Sequence, residues 1–230
     1  EVSMRRFKPE VIFHLAAYGN SSRHQGDRQI LNTNVMGTYN MLEVSKYLAL
    51  EHFVYMGSSS EYGNKTIPIN KNMRLDPNSM YSATKGAGSL LTRYFGKKHS
   101  TCVVRPFSIY GEYEHSSRLI PTVIRKALKG EVLDLVEGAV HDWVYVGDFV
   151  RFLENLVIDH SINHAGDVYL FGSGRQYSNL QIVQTIQRIM GLKINIKSLK
   201  NSIGELRTFD TSLCWRAAEK NAFATTPISE

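Results

Sequence analysis

Short runs of apolar residues alternate with longer segments of helical periodicity through the first half of the chain. The apolar runs occupy residues 11–15, 53–56 and 102–105, and each predicts a short buried strand. Between them, residues 32–50 and 81–98 repeat apolar positions at intervals of three and four, which predicts two helices. Strands that alternate with helices at this spacing predict an α/β fold with a parallel, doubly wound sheet.

The pattern changes after Gly111. Helical periodicity is predicted at 117–130, 147–159 and 178–190, and short strands are predicted at 132–136, 144–146, 168–171 and 194–196. We therefore expect one domain over residues 1–112. A mixed segment over residues 113–230 should add a small lobe and a further sheet element.

Composition and charge exclude several classes of protein. With 43% hydrophobic and 21% charged residues, the chain has the balance of a soluble globular protein, and no apolar run approaches the ~20 residues of a membrane span. The net charge of +6 comes from scattered Lys and Arg, so we expect no nucleic-acid partner and no membrane partner. Cys102 and Cys214, the two cysteines, favour free thiols in a reducing cytoplasm over a disulfide framework. No His, Cys, Asp or Glu cluster has metal-ligand spacing.

Tyr81 and Lys85 carry the clearest chemistry. Residues four apart share one face of a helix, and an ammonium beside a phenol lowers the pKa of that phenol. Ser58 follows the predicted strand at 53–56, so its hydroxyl could hold a substrate oxygen near the pair. An exposed i,i+4 pair without chemistry is the alternative reading, and Ser59 or Ser60 could replace Ser58.

These residues fall within motifs that resemble a known family. The motifs are His14-Leu15-Ala16-Ala17, residues 32–38, residues 58–63, Tyr81-x-x-x-Lys85, residues 105–111 and residues 141–148. In this order they resemble the extended short-chain dehydrogenase/reductases of the NAD-dependent epimerase/dehydratase type, which act on nucleotide sugars. The resemblance runs from about Pro9 to about Ile228. It implies a Rossmann-like fold, a small C-terminal substrate lobe and NAD or NADP as cofactor.

The resemblance implies a set of site residues. The catalytic residues would be Ser58, Tyr81 and Lys85. The cofactor would be bound by Tyr81 and Lys85 together with Leu15, Ala16, Ala17, Asn34 and Phe107. Substrate would be bound by Ser59, Ser108, Arg118 and His141. Other readings stay open, since Asn34 could bridge a loop, Phe107 could belong to the core, Arg118 could face solvent, and His14 is expected to be structural.

Departures from the family pattern bear on the reaction. Family members that dehydrate carry acidic residues directly after the catalytic hydroxyl, and here those positions are Ser59 and Ser60. Glu61 comes one residue late, and on an extended segment it would point to the other face. We therefore expect keto reduction or epimerisation at C4 of a hexose, with 4,6-dehydration or a non-catalytic role as the alternatives. Ser108 replaces an Asn common in epimerases and favours reduction slightly, while His141 replaces a phosphate-binding Arg.

The resemblance also bears on extent and assembly. No glycine-rich dinucleotide turn occurs, and the chain begins where the fourth family strand is expected, so roughly 60 residues of a nucleotide-binding domain would lie upstream. Residues 1–112 are thus expected to be a partial NAD(P)-binding domain, in a natural fragment or a shortened chain. The two helices at 32–50 and 81–98 match helices that form dimers in relatives, so we expect a homodimer.

Overall fold

A computed structural model describes residues 2–20, 26–136, 139–158 and 164–199, together with 214, 216–218, 226 and 228. Within these residues the helices are α1 Val2–Phe7, α2 Asp27–Leu31, α3 Gly37–Ser45, α4 Met80–Phe95, α5 Leu119–Lys129, α6 Val146–Ile158 and α7 Asn179–Met190. The strands are β1 Val11–His14, β2 His52–Met56, β3 Thr101–Pro106, β4 Ser108–Tyr110, β5 Leu133–Leu135, β6 Val140–His141, β7 Trp143–Tyr145, β8 Asp167–Phe171, β9 Tyr177–Ser178 and β10 Ile196–Ser198. A π-helical turn, Asn32–Met36, joins α2 to α3, and a 3₁₀ turn, Ser59–Tyr62, follows β2.

The described chain forms two compact units. The first comprises residues 1–63, 71–106 and 152–171, and the second comprises residues 64–70, 107–151 and 172–230. The division into a domain over residues 1–112 and a mixed segment over residues 113–230 stays a prediction. Among the described residues, no helix combines the length and the apolar character that crossing a bilayer requires.

The first unit is built on a parallel sheet of strand order β1-β2-β3-β8. The three strands predicted in the first half therefore lie side by side, as expected. Nearly every residue of β2 and β3 is buried, which is typical of parallel strands covered on both faces. Leu42 of α3 and Phe95 of α4 pack in one core cluster with residues of these strands. The predicted α/β class is confirmed.

The first predicted long helix is shifted toward the N-terminus. Residues 27–45 are helical instead of 32–50, and the regular helix ends where Tyr47 and Leu48 turn back to donate to the carbonyls of Val44 and Ser45. Leu48 still packs against the core, so its apolar periodicity continued past the end of the helix. The short helix α1, which precedes β1, was not predicted.

The second unit has its own core and short strand pairs. Strands β5 and β10 pair in parallel, β4 and β7 pair in parallel, and β6 and β9 pair antiparallel. Helices α5 and α7 pack over β5 through a separate apolar cluster that includes Val123, Leu133, Leu135 and Val183. Strands β4, β6 and β9, which have two or three residues each, were not predicted.

Candidate active site

Tyr81 and Lys85 lie on the first two turns of α4, where a capping box fixes the start of the helix. The Ser79 hydroxyl accepts from the Ser82 N–H at 3.1 Å, and the Ser79 N–H donates to the Ser82 hydroxyl at 3.0 Å. The cap sets the rotation of the first turn, and it therefore sets the direction of Tyr81, which is half-buried. Lys85, one turn later, is 1% exposed.

Burial changes the acid–base behaviour of Lys85. Loss of hydration disfavours the ammonium and lowers the pKa of Lys85 to about 8, although the negative charge of Glu61 acts in the opposite direction. Burial, followed by the charge of Lys85, lowers the pKa of His14 to about 4, so this imidazole is neutral near pH 7. The region therefore holds one ammonium that can lose its proton near neutral pH.

Ser58 is held at the N-terminus of the 3₁₀ turn that follows β2. Its hydroxyl accepts from the Ser60 N–H at 3.2 Å and lies 2.7 Å from the Ser60 hydroxyl, and its own N–H donates to Glu61 Oε1 at 2.8 Å. Ser58 is half-buried, whereas Ser59 is 5% exposed. The structure thus pairs the Ser58 and Ser60 hydroxyls and buries Ser59, whose substrate contact stays a prediction.

Glu61 is committed to the protein interior. Its Oε2 accepts from Arg105 Nε at 2.7 Å and from the Ser89 hydroxyl at 2.7 Å, and its side chain has no exposed surface. The expectation that residues after Ser58 are extended is wrong, because Ser58 caps a 3₁₀ turn there. Glu61 is nevertheless unsuited to act as an acid or base on substrate, because it is buried and already hydrogen-bonded.

Asn34 ties the loop after β1 to α4. Its side-chain oxygen accepts from the Tyr18 N–H at 2.8 Å, and its NH₂ group donates to the Tyr18 carbonyl at 2.8 Å and to the Thr84 hydroxyl at 2.9 Å. The Thr84 hydroxyl in turn donates to the Tyr81 carbonyl at 3.0 Å. Asn34 is buried and bridges this loop to α4, and the cofactor contact expected of it stays a prediction.

His14 has the structural role expected of it. Its Nε2 lies 3.0 Å from the Thr38 hydroxyl, which itself donates to the Asn34 carbonyl at 2.7 Å. Because the single Thr38 proton is used in that bond, His14 Nε2 must carry the proton of the neutral ring.

Leu15, Ala16 and Ala17 follow β1 at the carboxyl edge of the sheet and are exposed. In open parallel sheets this edge is where ligands bind. Ala16 and Ala17 are small and accessible at this edge, Tyr81 is half-buried, and the buried Lys85 lies one helical turn after Tyr81. This arrangement suits the nicotinamide-ribose end of a dinucleotide. No group of His, Cys, Asp or Glu side chains within the described ranges could hold a metal ion.

The remaining predicted residues belong to the second unit. Ser108 Oγ lies 3.2 Å from His141 Nδ1, so the structure brings these two together, and the His141 ring packs edge-on against Trp143 at 5.3 Å. Arg118 is exposed at the residue before α5 and makes no side-chain cap bond. Phe107 is buried, and a Cβ at Gly172 would approach its ring to 2.9 Å.

Asp142 organises this part of the second unit. Its carboxylate accepts from the N–H groups of Ser173, Gly174 and Ala217 and from the Ser173 hydroxyl. Burial raises the pKa of Asp142, although these hydrogen bonds oppose the shift. The roles of Asp142 and Glu61 were missed in the sequence, because each depends on contacts between distant segments.

Comparison with known proteins agrees with this geometry. A model of the NAD dependent epimerase/dehydratase family matches residues 2–172. The low-salt glycan biosynthesis protein Agl12 of Haloferax volcanii is 30% identical over 188 residues, which cover 79% of this chain and 60% of that protein. A dTDP-glucose 4,6-dehydratase of Salmonella typhimurium is 30% identical over 206 residues, covering 79% of this chain and 56% of that protein.

Solved structures show the same fold. The UDP-glucuronic acid 4-epimerase of Bacillus cereus, in complex with UDP-glucuronic acid and NAD, superposes with a TM-score of 0.79 at 26% identity, covering 87% of this chain and 65% of that one. The dTDP-glucose 4,6-dehydratase of Bacillus anthracis, in complex with NAD, gives 0.75 at 25% identity, covering 88% and 64%. The chain therefore spans about 60% of the length of the curated relatives it matches. By sequence and fold together, it belongs to the NAD-dependent epimerase/dehydratase family.

Proposed function

We propose that the full-length protein is an NAD(P)-dependent nucleotide-sugar oxidoreductase or epimerase that acts at C4 of the hexose. Ser58, Tyr81 and Lys85 would carry the chemistry. The observation that carries the proposal is the position of Tyr81 and the buried Lys85 on the capped start of α4, beside the carboxyl edge of the sheet. Relatives that act on nucleotide sugars support the substrate class.

In the proposed mechanism Tyr81 exchanges a proton with the C4 oxygen. The charge of Lys85 stabilises the phenolate form of Tyr81, and the Ser58 hydroxyl orients the same sugar oxygen. A nicotinamide dinucleotide, when bound, supplies or accepts hydride at C4. Lys85 and Tyr81 would hold its ribose side, with Ala16 and Ala17 leaving room for it.

The residues after Ser58 favour C4 chemistry over 4,6-dehydration. Elimination across C5 and C6 needs one group to take the C5 proton and another to protonate the departing C6 hydroxyl. Ser59 and Ser60 do not ionise near neutral pH, and the Glu61 carboxylate is occupied by Ser58, Ser89 and Arg105. Dehydration stays the alternative, because curated relatives include dTDP-glucose 4,6-dehydratases. We rank keto reduction slightly above epimerisation because Ser108 stands where epimerases often have Asn.

We further propose a cytoplasmic homodimer that works in polysaccharide or deoxysugar synthesis. Helix α4 presents Leu90 at 56% exposure and Tyr94 at 67%, and the preceding helical segment exposes Met36 and Tyr39. Apolar side chains on helix faces turned away from the sheet favour a helical partner surface. Light scattering on the full-length protein tests this, and a monomer at micromolar concentration would contradict it.

The experiment that tests the function offers nucleotide hexoses, and separately their 4-keto-6-deoxy forms, to the full-length protein with NAD(H) or NADP(H). We expect C4 epimers or C4 alcohols as products, with loss of both in Tyr81→Phe. A 4-keto-6-deoxy product made from an intact hexose would show that the alternative holds.

A further inference from the structure

Tyr55 of β2 holds Lys85 at two points. The Tyr55 ring lies beneath the Lys85 ammonium, with Nζ 4.5 Å from the ring centroid. The Tyr55 hydroxyl donates to the Lys85 carbonyl oxygen at 3.2 Å. The ring is fully buried, so one side chain contacts both the backbone and the charged end of the lysine.

Gly88 makes this arrangement possible. It lies nearly one turn after Lys85 on the face of α4 that meets β2, and a Cβ built at this position would come 2.2 Å from the Tyr55 hydroxyl oxygen. Any larger residue would therefore require the Tyr55 ring or α4 to shift from its present position. The absence of a side chain at Gly88 therefore allows β2 and α4 to approach each other closely at this point.

We propose that Tyr55 is a positioning residue that acts through Lys85, its ring face keeping the ammonium in place and charged. A buried ammonium loses hydration, and the negative face of an aromatic ring replaces part of it. This inference rests on the proposed function only for its consequence, which is that a charged Lys85 assists Tyr81. The contacts of Tyr55 with Lys85 do not depend on that function.

The charged and titratable groups near the Lys85 ammonium do not replace the Tyr55 ring in keeping that ammonium in place and charged. Glu61 favours the charged form of Lys85 through its own charge, but its oxygens are hydrogen-bonded to Ser58, Ser89 and Arg105. His14 is neutral near pH 7, and burial raises the pKa of Tyr55, which stays an uncharged phenol. The ring therefore acts through its face and not through a phenolate charge.

The test varies the electron density of the ring while keeping its shape. Tyr55→Phe, followed by Phe analogues with one, two and three fluorine atoms at position 55, weakens the negative ring face in steps. The Lys85 pKa is measured in each protein by NMR of ¹³Cε-labelled lysine, with Lys85→Arg to assign the signal. We expect the Lys85 pKa in Tyr55→Phe to stay within a few tenths of its wild-type value, and to fall by about 1 in total across the fluorinated series.

Phe95 supplies the matched control. It is another buried ring, and it lies 4.8 Å beneath the ammonium of the exposed Lys46. The same fluorinated analogues at position 95 should leave the Lys85 pKa unchanged. A Lys85 pKa that is constant across the position 55 series, or that falls equally in both series, overturns the inference.

A second measurement separates this inference from the proposed function. If charged Lys85 assists Tyr81, kcat/KM of the full-length protein should decline on the alkaline side. A lower Lys85 pKa removes the charge at lower pH, so the decline should move to lower pH in the order of the fluorinated series. A falling NMR pKa with a fixed rate profile supports Tyr55 as the positioning residue and contradicts the proposed role of Lys85. A flat NMR series rejects the inference whatever the rates show.

Discussion

The two units each bury a carboxylate, and they compensate its charge in different ways. Glu61, in the first unit, is paired with the Arg105 guanidinium and also accepts from Ser58 and Ser89. Asp142, in the second unit, accepts from main-chain N–H groups and one hydroxyl, which carry partial charges. We call these sets the Glu61 cluster (Glu61, Ser58, Ser89, Arg105) and the Asp142 cluster (Asp142, Ser173, Gly174, Ala217).

The difference has consequences for stability and for chemistry. A buried ion pair leaves a full charge uncompensated when one partner is removed, whereas a carboxylate held by several dipoles loses only part of its support with each change. The Glu61 cluster also fixes the backbone of Ser58, so disrupting the cluster should lower the rate of the proposed reaction as well as the stability. The Asp142 cluster fixes the backbone beside His141, so its loss should act first on stability and on substrate affinity.

The largest expected effect is a loss of kcat when a tyrosine hydroxyl is removed from the first unit but not when one is removed from the second. Tyr81→Phe removes the proton donor and should lower kcat by about 10³-fold or more, with cofactor affinity nearly unchanged. Tyr145→Phe is the matched control, because among the described residues its hydroxyl is hydrogen-bonded to the exposed Glu112, and its loss should change kcat by less than about twofold. Steady-state kinetics and cofactor titration check both. Equal losses in the two variants would contradict the assignment.

Removing the cation of the Glu61 cluster should cost more stability than neutralising Asp142. Arg105→Met leaves Glu61 buried without its guanidinium and should lower the free energy of unfolding by about 3–5 kcal/mol. Asp142→Asn keeps one side-chain oxygen as an acceptor and should cost about 1–3 kcal/mol. Urea unfolding measures both, and the comparison fails if Asp142→Asn is the more damaging change.

Contacts between residues close together in the sequence could be predicted from it, whereas contacts between residues far apart could not. Strands β2 and β3 were predicted because parallel strands that are buried on both faces have continuous apolar runs. Tyr81 and Lys85 were predicted as a pair because residues four apart on a helix are neighbours within one local segment. Glu61 and Arg105 are 44 residues apart, and no local pattern links them. The 3₁₀ turn after Ser58 arises from local capping by that residue, which an expectation of extended backbone did not include.

The second unit shows the same limit. Helices α5 and α7 were predicted from their periodicity, and left-handed Gly130 and Gly191 end them with φ of 67° and 63°. Strands β6 and β9 have two residues each and exist because distant segments pair. The contact between Ser108 and His141 accompanies the pairing of β4 with β7, in which Ser108 lies opposite Trp143, and it could not be read from either residue.

A matched serine pair sharpens the account of the turn itself. Ser58→Ala should lower kcat by about 10²-fold, because it removes the hydroxyl that orients the sugar oxygen. Ser60→Ala removes only the neighbour that shares a 2.7 Å hydrogen bond with Ser58, and should cost less than about tenfold. Kinetics on both variants at saturating cofactor decide this, and a reversed order would move the catalytic role to Ser60.

The smallest expected effect is a pH dependence of stability. Because burial raises the pKa of Asp142 above its ordinary value of 3.8, the folded state holds that proton more tightly than the unfolded chain does. Wild type should therefore lose stability relative to Asp142→Asn as the pH rises above about 3.8, with a slope of at most about 1.4 kcal/mol per pH unit. Unfolding at several pH values measures the slope, and a stability difference independent of pH would contradict a raised pKa of Asp142.

Deuterium incorporation tests the proposed C4 chemistry most directly. Full-length protein is incubated in D₂O with a nucleotide hexose and cofactor, and the sugar is examined by NMR at C4, C5 and C6. Because Ser59 and Ser60 supply no acid or base for elimination, we predict a product altered only at C4, with protium retained at C5 and an intact C6 hydroxyl. Deuterium at C5 together with a 6-deoxy product would contradict the account and assign the protein to dehydration.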